Sequence, residues 1–188
     1  MLAALTLLAA ETAFGGDPAC AVWLSIEVTS ASSVHVRAEA TIEAPANAVL
    51  DALEDFDHFA EYMPRVRRTA REPGGSVYTE IDSPWPLPNI WFVSEFTREE
   101  VAGGWLLKWR MLRGNIRENT GAWWVSALPG ERTRLRYEGD VALFSAIPPA
   151  LLRSVEQHEM PRLVQAVRAR AARGAPLICK ETVTQRFE

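Results

Sequence analysis

The three histidines are the side chains best suited to metal binding or to acid-base chemistry near neutral pH. His35, His58 and His158 each lack a second ligand at a metal-binding spacing such as H-x-x-x-H or C-x-x-C. His158 precedes Glu159, and this pair could act as acid and base inside a cavity, although adjacent charged residues on a helix are more often solvent-exposed. We therefore expect no metal site.

Other catalytic patterns are also missing from the sequence. Ser145 and Ser154 have no G-x-S-x-G context, which a hydrolase nucleophile would need. The glycine pairs Gly74-Gly75 and Gly103-Gly104 are typical of hairpin turns and do not form a phosphate-binding loop. These observations predict that the protein is not an enzyme and uses no cofactor.

A polar stretch around a glycine, RGNIREN, has two possible roles. Asn115, Glu118 and Asn119 are residue types that turns favour, and they could equally form the rim of a ligand-binding mouth. The sequence leaves both roles open.

Large apolar side chains repeat on one face of several predicted strands. Because side chains alternate between the two faces of a strand, each set lies on a single side. The two clearest sets are Trp105, Leu107, Trp109 and Met111 within residues 104–112, and Leu135, Tyr137 and Val141 within residues 133–141. Phe92, Trp123 and Val125 extend the same inner surface. Such a surface predicts either an apolar ligand cavity or a filled core.

The segment DSPWPLPNIWFV (82–93) joins two predicted strands and contains three prolines and two tryptophans. Proline lacks an amide proton and has a fixed φ, so the range 84–88 cannot belong to a helix or to a central strand. A stiff connection would hold Trp85 in one orientation. The alternative is that Trp85 and Trp91 only fill the core at a corner of the sheet.

The elements that position these residues follow from periodicity and from turn residues. Residues 23–29 and 34–42 alternate between apolar and polar types. Pro45 then opens one amphipathic helix, or two short helices broken near 55–58, and the helical pattern ends at Pro64. Further strands are predicted near 66–71, 76–81, 89–98, 104–112, 120–127 and 133–143, separated by glycine- and proline-rich turns.

A long helical pattern begins at Pro148-Pro149. Its apolar side includes Leu152 and Val155. We expect Pro161 to kink or divide this helix. The residues predicted opposite the apolar side are Arg153, Glu156, Arg162 and Arg168. The predicted fold class is α+β, a curved antiparallel sheet with the long C-terminal helix laid across its concave face.

Three stretches resemble a known superfamily. They are EATIEAPANAVLDALEDFDHFAEYMPRV (39–66), DSPWPLPNIWFV (82–93) and WRMLRGNIRENTGAWWV (109–125). Together they resemble START-like (SRPBCC) proteins of the helix-grip fold, which include Bet v 1-type, Coq10-type and polyketide cyclase-type bacterial members. The resemblance covers about residues 33–172. It departs from the family at Ile90-Trp91, where START lipid-binding domains carry an Arg-Asp pair.

The resemblance implies a cavity between the sheet and the C-terminal helix that binds a hydrophobic small molecule or lipid. The expected ligand-binding residues are Trp85, Trp91, Phe92, Trp105, Trp109, Met111, Trp123, Leu135, Tyr137, Leu152 and Val155. One alternative is a cyclase or aromatase, with Tyr137, His158 and Glu80 as the candidate acid and base groups. Another is an accessory domain that binds a protein.

Composition and the chain termini limit partners and location. A net charge of -4 over 188 residues gives no reason to expect nucleic acid as a partner.

The apolar start and A-F-G at 13–15 predict a signal peptide over 1–15, followed by a START-like domain at 20–175 and a tail at 176–188. We expect a periplasmic or secreted monomer with transient membrane contact, or alternatively a cytoplasmic one. After export, Cys20 and Cys179 could form a disulfide.

Overall fold

A computed structural model describes residues 20–83, 85 and 88–172, together with the backbone of residues 182–185. The described strands are β1 (Ala21–Ser30), β2 (Ser33–Ile42), β3 (Val66–Arg71), β4 (Val77–Ile81), β5 (Ile90–Val101), β6 (Gly104–Gly114), β7 (Glu118–Leu128), β8 (Arg132–Ala142) and β9 (Thr182–Gln185). The helices are α1 (Ala46–Glu54), α2 (Phe59–Tyr62) and α3 (Pro149–Ala171), with a 3-10 turn at Phe56–His58 between α1 and α2.

The strands form one sheet in the order β3-β4-β5-β6-β7-β8-β2-β1-β9. Every neighbouring pair is antiparallel except β1 and β9, which run parallel. Gly103 and Gly130 have positive φ angles of 80° and 79° in the turns before β6 and β8, a conformation that glycine adopts without steric cost. The predicted α+β architecture, an antiparallel sheet with a long C-terminal helix, is confirmed.

The core lies between the inner face of the sheet and the helices. The alternation on β2 buries its even-numbered residues from Val34 to Ile42, as the sequence predicts. On α1, the buried residues include Val49, Leu50 and Leu53. Ala38 and Ala40 are small, so the C-terminal half of α3 can lie close to β1 and β2. This end of the helix is closely packed against the sheet.

α3 is continuous through Pro161, so the prediction that proline divides this helix is wrong. Pro161 is buried, together with Met160 and Val164. A proline removes one backbone hydrogen bond. Burial of this apolar face against the sheet and α1 offsets that loss, and the helix continues.

Arg168 is also misplaced by the sequence pattern, which predicts it on the polar side of α3. Its side chain is buried and donates hydrogen bonds to the carbonyl oxygens of Cys20 at 3.2 Å, Ala21 at 3.0 Å and Thr41 at 3.0 Å. These bonds connect the C-terminal half of α3 to β1 and to the end of β2. Helical periodicity cannot foresee them, because the acceptors come from distant strands.

The sequence pattern predicts a tail over 176–188 without a strand, whereas the structure has β9 there. Cys20 is buried at the start of β1, whereas Cys179 and the leader 1–15 lie outside the described residues. Both the disulfide and the signal peptide therefore stay predictions. None of the helices among the described residues has the length and apolar character needed to cross a bilayer.

Candidate functional site

A cavity of about 310 Å³ lies between the inner face of the sheet and the N-terminal half of α3. Side chains from β2, β4, β5, β6, β7 and β8 form one wall, and α3 forms the other. The connection from α2 to β3, which includes Met63, Pro64 and Arg65, closes one side. The lining is mostly aliphatic and aromatic, and this composition suits an apolar ligand. The interior is therefore not a completely filled core.

The structure places six of the eleven predicted ligand-binding residues on this cavity wall. They are Phe92, Trp109, Trp123, Tyr137, Leu152 and Val155. The first four come from neighbouring strands and share the inner face of the sheet. The last two come from the first turns of α3. Strand and helix periodicity places these six residues on the inner faces of their elements.

Two predicted tryptophans lie away from the cavity because they are turned outward. Trp85, between β4 and β5, is 91% exposed. Trp91 points to the outer face of β5 and stacks on Tyr78 with ring centroids 6.1 Å apart. Phe92, the next residue, takes the inward position. For the stiff connection proposed at 84–88, Pro84 and Pro86 lie outside the described residues.

Three other predicted residues share the inner face but do not line the cavity. Trp105 lies near the start of β6, where its Nε1 donates to Asn47 Oδ1 at 3.4 Å. Met111 packs into a separate small cluster, and Leu135 is fully buried in the main core. These strands have 11 residues each, so they extend over roughly 35 Å and reach beyond the cavity at both ends.

Three aromatic rings form the sheet wall of the cavity. Trp109 and Tyr137 stack with centroids 5.4 Å apart, and Trp123 lies 4.7 Å from Tyr137. Trp109 Nε1 donates to Asn119 Oδ1 at 2.9 Å, which satisfies the polar atom of the indole. The RGNIREN segment contributes both to the cavity lining and to the turn. Asn119 lines the cavity, whereas Asn115 accepts a backbone hydrogen bond from Trp91 at 2.8 Å and holds the turn.

Two glycines on neighbouring strands make room for these rings. Gly121 on β7 pairs with Gly139 on β8. A Cβ on Gly139 would lie 2.4 Å from the Tyr137 hydroxyl, and a Cβ on Gly121 would lie 2.5 Å from the Trp109 ring. No side chain larger than hydrogen fits at either position without displacing a ring. The glycines therefore fix how far the aromatic wall projects into the cavity.

Glu156 faces the cavity, although the helical pattern predicts it on the polar side of α3. Burial, with a smaller contribution from the neighbouring Glu159, raises the pKa of this carboxyl to about 7. Glu156 is one helical turn from both Leu152 and Met160, which also line the cavity. The i, i+4 spacing to these two apolar residues could have placed Glu156 on the inner side of α3, but its charge assigned it to the polar side.

An ion pair joins α3 to the connection before β3 at the edge of the cavity. Arg65 Nε lies 2.6 Å from Glu159 Oε1, and Arg162 approaches the same oxygen at 3.5 Å. Arg65 has a φ of 59°, a left-handed conformation that is uncommon for a residue other than glycine. Both Arg65 and Glu159 contribute to the cavity lining. The pair therefore bridges two walls of the cavity.

The sequence matches the family described as polyketide cyclase / dehydrase and lipid transport over residues 33–174. The chain belongs to this family. None of the curated proteins matches it significantly.

Solved structures of this fold are similar to the chain at low sequence identity. The Zhui aromatase/cyclase from Streptomyces sp. R1128 is 22% identical with a TM-score of 0.63, covering 77% of this chain and 97% of its own. The STAR-related lipid transfer protein from Xanthomonas axonopodis is 20% identical with a TM-score of 0.62, covering 80% and 99%. Human StAR-related lipid transfer protein 5 is 12% identical with a TM-score of 0.66, covering 79% and 86%. The fold is the predicted START-like helix-grip fold.

The family description covers both catalysis and lipid transport. The positions of the three predicted acid and base groups therefore bear on which of these functions the cavity supports. Tyr137 lies at the cavity. His158 is exposed, with Nδ1 2.6 Å from the Ser154 carbonyl oxygen. Glu80 contacts Arg67 at 3.3 Å on the outer face of β4. Among the described residues, no group of three or more His, Cys, Asp or Glu side chains is arranged to hold a metal ion.

Proposed function

We propose that this protein binds one hydrophobic small molecule or lipid in the cavity between the sheet and α3, and transfers it within the cell envelope without changing it chemically. The observation that carries this proposal is the cavity of about 310 Å³ with its wall of Trp109, Trp123 and Tyr137. Removing apolar ligand surface from water contributes about 2.5 kcal/mol per 100 Å², which is enough to supply most of the affinity.

Ligand uptake requires an opening, and the ion pair between Arg65 and Glu159 suggests where one forms. Both residues are partly exposed, and a pair of this kind contributes roughly 1 kcal/mol or less. Separation of α3 from the α2–β3 connection would therefore cost little. Trp85 and Phe144 are exposed at 91% and 68% in the connections after β4 and β8. Exposed aromatic side chains favour the bilayer interface, and they support transient membrane contact during transfer.

The proposal is tested by native mass spectrometry of the purified full chain, followed by denaturing extraction and lipid analysis. We expect one apolar molecule per chain. The intact mass from the same spectrum reports whether the predicted leader has been removed. A chain that carries no ligand, and still carries none after incubation with envelope lipids, would refute the binding proposal.

A pair of variants connects the bound molecule to the cavity. Val155 lines the cavity, so Val155→Trp fills it with a large ring. Ser154 is the neighbouring exposed residue on α3, so Ser154→Trp adds the same ring outside. We expect Val155→Trp to lose the ligand and Ser154→Trp to retain it. Equal ligand content in the two variants would place the binding site elsewhere.

A second candidate function is catalysis of the cyclase or aromatase type. Tyr137 and Glu156 face the same cavity, and an acid and a base are what an aldol cyclisation followed by loss of water requires. Incubation with a poly-β-carbonyl thioester tests this function. Loss of one water from the product mass, abolished by Glu156→Gln, supports catalysis. Recovery of unchanged thioester supports the carrier proposal.

A further inference from the structure

The cavity has a polar centre within its largely apolar lining. Tyr137 on β8 and Glu156 on α3 face it from opposite walls, and Asn119 contributes from β7. The Tyr137 ring and the Glu156 carboxyl are close enough for the carboxylate charge to raise the pKa of the tyrosine, in addition to the larger effect of burial. Polar groups that converge in an apolar cavity are typical of a site that orients a ligand.

The Tyr137 hydroxyl is held in place from two sides. It lies directly over Gly139, and a Cβ on that residue would lie 2.4 Å from the hydroxyl oxygen. The Tyr137 ring is packed between Trp109 and Trp123 at centroid distances of 5.4 and 4.7 Å. Among the described residues, nothing accepts or donates a hydrogen bond at this hydroxyl. Its raised pKa keeps it protonated, so it remains available as a donor.

Glu156 has no hydrogen-bond or ion-pair partner among the described residues. This distinguishes it from Glu159 on the same helix, whose Oε1 is bound by Arg65 at 2.6 Å. Oε2 of Glu159 is buried and has no hydrogen-bond partner within the described part of the chain. A buried carboxyl oxygen without a partner is costly, so Glu159 Oε2 leaves an acceptor for a ligand to satisfy, and the partly buried Glu156 carboxyl faces the same cavity.

The chemistry of the ligand follows from this set of one donor and two carboxyl groups. A ligand hydroxyl can donate to a carboxyl oxygen and accept from Tyr137 at the same time. An ether or a ketone can only accept, so it can bond to Tyr137 or to the protonated form of Glu156 but leaves Glu159 Oε2 without a donor. A ligand carboxylate would meet two glutamates and be repelled, while an alkylammonium can only donate and would leave the Tyr137 hydroxyl without an acceptor.

We propose that Tyr137 and Glu156 bind the polar end of the ligand, and that the ligand is an apolar molecule bearing a hydroxyl group. The proposal rests on the binding function proposed above and specifies the class of molecule. The apolar body lies along Trp109, Trp123 and Phe92, and the hydroxyl lies between β8 and α3.

Matched probes of one chain length test the proposal. Decane, decanol, nonyl methyl ether, decanoate and decylamine are titrated into the full-length protein, and binding is followed through the fluorescence of the tryptophans at the cavity wall. We expect decanol to bind about 10-fold or more tightly than decane and nonyl methyl ether, because each hydrogen bond contributes about a factor of 5 to 10. Decanoate and decylamine bind more weakly than decanol.

Variants show which side chains produce the preference. Tyr137→Phe removes only the hydroxyl, and Glu156→Met removes the carboxyl at similar size. Each is expected to reduce the ratio of decanol to decane affinity to about 2 or less. The ratio is measured within one variant, so a change in the folded fraction cancels. Tyr78→Phe, on the outer face of β4, and Glu131→Gln, in an exposed turn, are expected to keep the wild-type ratio.

The outcomes separate this inference from the function on which it rests. A wild-type protein that binds decane but does not prefer decanol refutes the hydroxyl proposal and leaves the carrier function standing. The same conclusion follows if decanoate or decylamine binds best, or if Tyr137→Phe and Glu156→Met both keep the preference. A protein that binds none of the five probes refutes both.

Discussion

The two halves of α3 each carry a charged residue on the inner side of the helix, and the two residues have opposite surroundings. In the C-terminal half, Arg168 donates to three backbone carbonyl groups and is surrounded by core residues such as Val164 and Val167. In the N-terminal half, Glu156 faces a cavity and has no partner among the described residues. A buried charge with partners stabilises the fold, whereas one without partners is a candidate for binding.

The packing around the two halves differs in the same way. Val164, Val167 and Ala171 are buried against the sheet and α1. In the N-terminal half, Val155 borders the cavity and is only partly buried. An apolar void forfeits van der Waals contacts and reduces stability. The C-terminal half of α3 therefore anchors the helix, while the N-terminal half forms a wall that a ligand can complete.

Replacement of Arg168 should have the largest effect on stability. Arg168→Met keeps most of the side-chain volume and leaves the carbonyls of Cys20, Ala21 and Thr41 without this donor. We expect a loss of about 3 to 5 kcal/mol in the free energy of unfolding, measured by urea denaturation. Arg162→Met is the matched control, because Arg162 is exposed on the same helix, and it should change stability by about 0.5 kcal/mol or less. Similar losses in the two variants would contradict the anchoring role.

A change in the aromatic wall should have an intermediate effect. Gly139→Ala places a methyl group against the Tyr137 hydroxyl and must displace the ring. We expect a loss of about 2 kcal/mol from overpacking, together with at least 10-fold weaker binding of apolar probes. Gly130→Ala is the control, since it strains a turn with positive φ and leaves the cavity unchanged. Unchanged probe affinity in Gly139→Ala would show that the wall does not depend on this glycine.

The smallest expected effect is the pH dependence of Glu156. Its pKa is raised from 4.5 to about 7 in the folded protein, so the folded state keeps a proton that the unfolded state loses above pH 4.5. Stability should therefore fall as the pH rises from about 4.5 to 7, and the full cost should persist at higher pH. At pH 8, Glu156→Gln should be about 1 to 2 kcal/mol more stable than the wild type, less than the full shift implies because the side chain is only partly buried.

The control for this prediction addresses the other groups that titrate in the same range. Other ionisable groups contribute to the pH dependence of both proteins, so the quantity to compare is the difference between wild type and variant. Glu131→Gln, in an exposed turn, should show no pH-dependent difference. Tyr137 and Glu159 face or adjoin Glu156, and both remain in the variant. A constant difference from pH 4.5 to 8 would show that Glu156 is not shifted.

The sequence predicted the fold and the inner face of the strands that line the cavity, and the differences from the structure have a common origin. Phe92, Trp109, Trp123 and Tyr137 were placed correctly because a strand turns alternate side chains to opposite faces. Trp105 and Leu135 obey the same alternation but lie beyond the cavity, since periodicity gives a face and not a position along the strand. Trp85 lies in a connection, where no periodicity applies.

The positions of Glu156 and Arg168 could not be predicted from the sequence. Both were assigned to the polar side of α3 because they are charged, and both lie on the buried side. Their burial depends on groups far away in the chain: three carbonyl groups of β1 and β2 for Arg168, and the cavity opposite Tyr137 for Glu156.

The sequence by itself determined the strand and helix order, the inner faces and the family, because these depend on local periodicity, turn residues and short motifs. Only the tertiary structure decided which charged residues are buried, where the cavity ends and which polar groups converge in it. The free energy of a buried charge depends on its neighbours, and those neighbours come from elements that meet only in the folded chain.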